Sequence, residues 1–152
     1  MNNRFNKPIE IATVLSILLF APLVQALEFR TISENAAITY DAPSVKSNKL
    51  FVLNRFYPVE IVVVLDTWIK VRDATGALSW IEKKYLSDFR TVLITVPVAQ
   101  LLERPDPSAP VLFQAEQNII FEVIDAQNPG WVKVKHRDGN TGYVRVNQVW
   151  GV

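Results

Sequence analysis

Residues Trp131–Val144 read WVKVKHRDGNTGYV, and residues Trp68–Ile81 read WIKVRDATGALSWI. The two stretches align without a gap. Trp68 falls on Trp131, Lys70 on Lys133, Val71 on Val134, Gly76 on Gly139, Trp80 on Tyr143 and Ile81 on Val144. Each predicts a β-hairpin: an alternating strand, a glycine turn, then a strand closed by an aromatic and a β-branched residue. In the later copy Asp138-Gly139 marks the turn, because glycine reaches φ > 0 without steric cost. Two copies are too few for a solenoid. Each has enough flanking chain to be a small domain.

The flanks repeat as well. Ala36–Tyr40 and Thr95–Glu103 predict opening strands. Asp41-Ala42-Pro43-Ser44 breaks the first, and the proline-rich loop Arg104–Pro110 breaks the second, since proline cannot donate to a ladder. Further strands are expected at Lys49–Leu53, Val59–Leu65, Val111–Phe113 and Ile119–Asp125. Val59-Glu60-Ile61-Val62 aligns with Phe121-Glu122-Val123-Ile124 at a spacing one residue shorter than that of the hairpins. The loop before the tryptophan has therefore changed length, as surface loops do. Glu60 and Glu122 fall on matching places, read here as a shared outward position. Leu27–Glu34 is a lead-in, and Lys83–Leu86 one helical turn before a short last strand. Short strands with regular turn signals indicate an all-β chain. The expected division is a first domain over 27–88 and a second over 89–152.

Residues 1–26 are not read as fold. Arg4 and Lys7 precede an apolar run from Ile11 to Val24, and Val24-Gln25-Ala26 places small residues before a cleavage point between Ala26 and Leu27. That is the pattern of a secretory signal peptide. The run is shorter than the about 20 residues that cross a bilayer. A periplasmic or secreted protein is expected, with no stable membrane anchor after cleavage. The sequence has no cysteine, which excludes a lipid-modified cysteine and any disulfide. Unstapled domains of about 60 residues are marginal, so two would gain by sharing an interface. The chain has 16 Lys+Arg and 15 Asp+Glu; losing Arg4, Lys7 and Glu10 leaves the two signs equal. Global attraction to nucleic acid or anionic lipid is not expected.

The second repeat resembles the bacterial SH3 (SH3b) family. The likeness lies in Leu102-Glu103-Arg104-Pro105 with Pro107-Ser108, in Phe121–Ile124, in Gly130-Trp131-Val132-Lys133-Val134 and in Gly142-Tyr143-Val144. The first repeat departs from it, with Asp41 in the arginine place and Ser79 in place of the glycine before the aromatic. As a whole the chain looks like exported two-repeat SH3-like proteins of Gram-negative bacteria. The resemblance implies two tandem five-stranded small barrels and non-catalytic binding of a peptidoglycan stem peptide or an envelope protein segment. The alternative is a structural or assembly factor of an envelope complex that uses the barrels as a rigid scaffold.

Residue chemistry agrees with a non-enzyme. His136, the sole histidine, sits near a hairpin tip and reads as a solvated loop residue. Without cysteine, zinc sites built on Cys/His clusters are excluded. No cofactor motif is present. The candidate ligand site is Arg104, Pro107, Trp131 and Tyr143, since the resemblance implies that the loops carrying Arg104 and Trp131 flank one groove. Arg104 would hold a carboxylate by two parallel hydrogen bonds. Trp131 would supply a flat apolar face, and the prolines would stiffen the loop before binding. Trp131 shares a strand face with Lys133 and is expected to be partly wet, either as a lid on the barrel or as a contact residue. Ile61–Leu65 and Val92–Ile94 are apolar on both faces, and the linker Ser87–Arg90 is not glycine-rich. Val62, Val64 and Phe89 are therefore expected to pack between the barrels.

Overall fold

A computed structural model describes residues 27–152. The expected signal segment and Ala26 lie outside the described residues; Leu27 opens them and is exposed. The strands are β1 (Phe29–Ile32), β2 (Ala37–Tyr40), β3 (Lys49–Leu53), β4 (Pro58–Val64), β5 (Trp68–Arg72), β6 (Leu78–Glu82) and β7 (Leu86–Ser87). They continue as β8 (Thr91–Ile94), β9 (Val98–Leu102), β10 (Val111–Glu116), β11 (Ile120–Asp125), β12 (Trp131–Lys135), β13 (Thr141–Arg145) and β14 (Val149–Trp150). A 3₁₀ turn precedes β7 (Lys83–Tyr85) and another precedes β14 (Val146–Gln148). Among the described residues no helix is long and apolar enough to cross a membrane.

Two seven-stranded sheets result, ordered β3-β2-β6-β5-β4-β1-β7 and β10-β9-β13-β12-β11-β8-β14. The fold is all-β as expected, but the strand count and closure differ. The lead-in forms β1, which pairs with β4 on one side and β7 on the other. No ladder joins β3 to β7 or β10 to β14, so neither sheet closes into a five-stranded barrel. Strands of two to four residues are too short to show alternation.

The hairpins form where the repeat places them, with Gly76 at φ 89° and Gly139 at φ 94°. One face of each hairpin fills a core. Val132, Val134 and Val144 meet Val92, Ile94, Leu101 and Phe121 in the second domain, and Val71 and Ile81 meet Ile32 and Val59 in the first. At Gly142, the counterpart of Ser79, a Cβ would come 3.0 Å from the Leu101 Cβ. In the first domain the residue matching Leu101 is Thr39, and both Thr39 and Ser79 are buried. Glu60 is not outward: it is buried and accepts two hydrogen bonds from Arg72 Nη1, at 2.8 and 3.1 Å. Its counterpart Glu122 faces Lys135 at 3.7 Å.

The domains meet where β1 and the start of β4 face β8 and β14. The Thr91 hydroxyl lies 2.7 Å from the Phe56 carbonyl and 3.0 Å from the Thr31 hydroxyl. A hydroxyl has one hydrogen. Thr91 gives it to the carbonyl, so Thr31 donates to Thr91, and the buried chain of hydrogen bonds crosses the seam. Phe29 meets Trp150 edge-to-face at 5.1 Å, and Phe89 lies 5.9 Å from Phe56. Gly151, at φ 116°, lets Thr91 and Pro58 approach; a Cβ there would sit 2.4 Å from the Thr91 carbonyl oxygen. Val62 and Val64 take no part and are 38% and 56% exposed. The backbone explains this. The β1 ladder ends near Ile61, whose N–H donates to the Glu28 carbonyl, and a bulge follows before Val63. The rest of β4 pairs only with β5, beyond the seam.

Three substitutions separate seam from surface. Thr91→Val is expected to lower stability by about 1–3 kcal/mol, by stranding the Phe56 carbonyl and the Thr31 hydroxyl. Gly151→Ala is expected to cost about 1–3 kcal/mol through overpacking against backbone. Val64→Glu should stay within about 0.5 kcal/mol of the parent. Urea unfolding of the purified variants measures all three.

Candidate functional site

On the face of the second sheet that turns away from its core, strand alternation lines up Val98, Gln100 and Leu102 of β9, Gln114 of β10, Trp131 and Lys133 of β12, and Tyr143 and Arg145 of β13. Trp131 stands directly opposite Arg145, and Gln100 opposite Gln114. The loop between β9 and β10 brings Pro107 to one side, and the 3₁₀ turn brings Gln148. All of these except Lys133 and Tyr143 line a groove of about 320 Å³.

Trp131 is only 7% exposed, so the expectation of a partly wet ring is corrected. It packs with Leu102, Ala109 and Tyr143 in a small cluster of its own. The Arg145 guanidinium carbon lies 4.7 Å from the ring centroid, a cation–π contact. Lys133 sits over Tyr143 at 5.7 Å. Each cation keeps N–H donors free for a ligand while its charge rests on an aromatic face.

The structure brings Pro107, Trp131 and Tyr143 to this region. Arg104 is exposed in the loop and does not line the groove; the arginine that does is Arg145. The loop is held by Asp106, which accepts hydrogen bonds from the Ser108 N–H and hydroxyl, both at 2.8 Å. Those bonds, with a smaller contribution from Arg104, hold the Asp106 carboxyl below the usual range. The slot given to Asp41 is corrected too. The Asp41 backbone N–H donates to the Asn48 carbonyl as that of Glu103 does to the Pro110 carbonyl, and the Ser44 N–H donates to the Ala42 carbonyl as the Asp106 N–H does to the Arg104 carbonyl. The counterpart of Arg104 is therefore Ala42.

The same face of the first domain has the same geometry and different chemistry. Ile38 faces Val52 where Gln100 faces Gln114, and Trp68 faces Glu82 where Trp131 faces Arg145. Glu82 is tied to Lys84 at 3.0 Å. Tyr40 replaces Leu102 and meets Trp68 edge-to-face at 5.5 Å.

His136 is half-buried rather than a fully solvated loop residue. Its ring lies 5.4 Å from that of Phe121, and its Nδ1 is 3.0 Å from Asp138 Oδ2. The Asn140 N–H, and next the His136 ring, hold the Asp138 carboxyl below the usual range. Among the described residues no three His, Cys, Asp or Glu side chains gather as a metal cluster would.

Residues 97–148 match a family model described as bacterial SH3 domain, and residues 33–88 match a second model of that description. No curated protein matches the chain. Among solved structures it is similar to NlpC2 from Trichomonas vaginalis, at 18% identity and a TM-score of 0.39, covering 84% of this chain and 49% of that one. NlpC1 from the same organism gives 20% identity and a TM-score of 0.40, covering 91% and 51%. An NlpC/P60 family protein from Bacillus cereus ATCC 10987 gives 16% and 0.37, covering 81% and 56%. The chain spans about half the length of these structures, and likenesses this distant carry no functional argument. The two family models, matched in tandem, are what identify it: the chain belongs to the bacterial SH3 domain family.

Proposed function

We propose that this is an exported, non-catalytic binding protein whose second domain holds a peptide segment bearing a carboxylate. The ligand is a peptidoglycan stem peptide or a segment of an envelope protein. The observation that supports this reading is the guanidinium of Arg145 stacked on Trp131 in a groove with no carboxylate in its lining. An arginine so placed is already oriented for a bidentate carboxylate contact. Gln100, Gln114 and Gln148 add amide donors and acceptors suited to peptide backbone. Pro107 restricts the flanking loop, so less order is gained on binding. The first domain, with Ile38, Val52 and Glu82 at the matching places, does not offer this chemistry.

A second reading, an assembly role within an envelope complex, is favoured by one observation. Val62, Val63, Val64 and Leu65 are all exposed in a row, as are Leu50, Phe51 and Val52 on the edge strand β3. Apolar edges of this kind are contact surfaces or aggregation hazards.

Retention of the purified protein on isolated peptidoglycan, and on immobilised envelope extract, tests the first reading. Arg145→Gln is expected to weaken retention about tenfold, equivalent to about 1.4 kcal/mol, while leaving the melting temperature unchanged. Arg104→Ala is expected to bind as the parent does. Full retention by a folded Arg145→Gln variant would rule the groove out.

A further inference from the structure

A second concave site lies away from that groove, at the seam. A cleft of about 190 Å³ is lined by Phe56 from the first domain and, among others, by Phe89, Phe121, Glu122, Lys135, His136 and Arg137 from the second. Drug-sized pockets run to about 300–1,000 Å³, so this one is sized for a single side chain. The lining includes three phenylalanines and the facing pair Glu122 and Lys135.

The charges around it are unevenly satisfied. Lys135 faces Glu122 at 3.7 Å, and His136 faces Asp138 at 3.0 Å. Arg137 forms no ion pair among the described residues, and neither does Arg55. Both guanidinium groups instead lie over the Phe56 ring, at 5.2 and 4.8 Å. A guanidinium laid on a ring keeps its N–H edge free and has lost part of its rotamer freedom already. Two like charges beside one apolar cleft also raise the local positive potential.

Phe56 itself is in an unusual state. Its φ is 73°, and the matching residue in the second domain is Asn118 at φ 69°. Asparagine tolerates this left-handed conformation, whereas a bulky aromatic residue there is an outlier. Residues held so cluster at ligand clamps and active sites. Here the Phe56 carbonyl is fixed by Thr91, which anchors its backbone beside the cleft.

We propose that the seam cleft is a second binding site, for an apolar residue that carries a free carboxylate, as at the C-terminus of a peptide. The side chain enters among Phe56, Phe89 and Phe121, and the carboxylate meets Arg137. The phenylalanines fit the apolar body, and the unpaired cation selects the anion. This site does not depend on Arg145 or on the groove of the second domain.

N-acetyl-L-phenylalanine and N-acetyl-L-phenylalaninamide separate the two requirements, since they differ only in the carboxylate. Each is titrated into the full chain, with binding followed by NMR shifts of the Phe121 and His136 amides. The acid is expected to saturate these shifts and the amide to bind at least about tenfold more weakly, an arginine–carboxylate contact being the difference. Arg137→Gln should abolish the preference for the acid, and Arg145→Gln should leave it intact. Arg137 is exposed, so its replacement leaves the fold in place. The absence of saturable binding by the acid, equal affinity for the two compounds, or an undiminished preference in Arg137→Gln would each overturn the proposal.

Discussion

The hydroxyl of Thr91 has one hydrogen to give, and where it goes determines how the two sheets sit. It is committed to the Phe56 carbonyl, which obliges Thr31 to donate in turn. Both threonines are almost fully buried. The chain has no cysteine, and each sheet is too small to bury much surface alone. A satisfied polar contact with fixed directions, surrounded by Phe29, Trp150 and the close approach at Gly151, substitutes for a covalent staple. The cleft at the seam exists because this contact fixes Phe56 opposite the hairpin tip of the second domain.

A second theme is how one scaffold carries two surfaces. The inward faces of the repeats are mostly aliphatic in both, with Thr39 standing where the second domain has Leu101. The outward faces differ. A glutamine pair becomes an isoleucine–valine pair, and an arginine on tryptophan becomes a glutamate on tryptophan. Because register fixes which side chains stand opposite one another, those exchanges alter ligand chemistry without disturbing the core. Function is then a property of the face and not of the fold.

The hairpins, the repeat and the all-β class were legible because alternation and glycine turns are local signals. Strands β1 and β14 were not, since they are too short to alternate and owe their pairing to the finished sheet; β7 is the short strand expected after the turn at Lys83. Arg145 was within reach. Counting outward from the turn at Gly139 places it directly across from Trp131. Arg104 was favoured because the family resemblance implies that its loop flanks the groove, and Asp41 was matched to it because the spacing of the hairpins was carried into a loop where the repeat is one residue shorter. Val62 and Val64 misled for another reason: a strand apolar on both faces signals burial only as far as its neighbours extend, and β1 ends first. Nothing in the neighbourhood of Phe56 announces a left-handed residue. Its alignment with Asn118 is the one clue.

On the proposed function, the arginine-bearing face of the second domain binds a peptide carboxylate and the matching face of the first does not. Backbone amide shift mapping of the isotope-labelled protein with soluble stem peptides released from peptidoglycan addresses it directly. Perturbations should gather at Gln100, Gln114, Trp131 and Arg145, leaving Ile38, Val52, Trp68 and Glu82 in place. Shifts concentrated on the first domain, or spread equally over both faces, would contradict it.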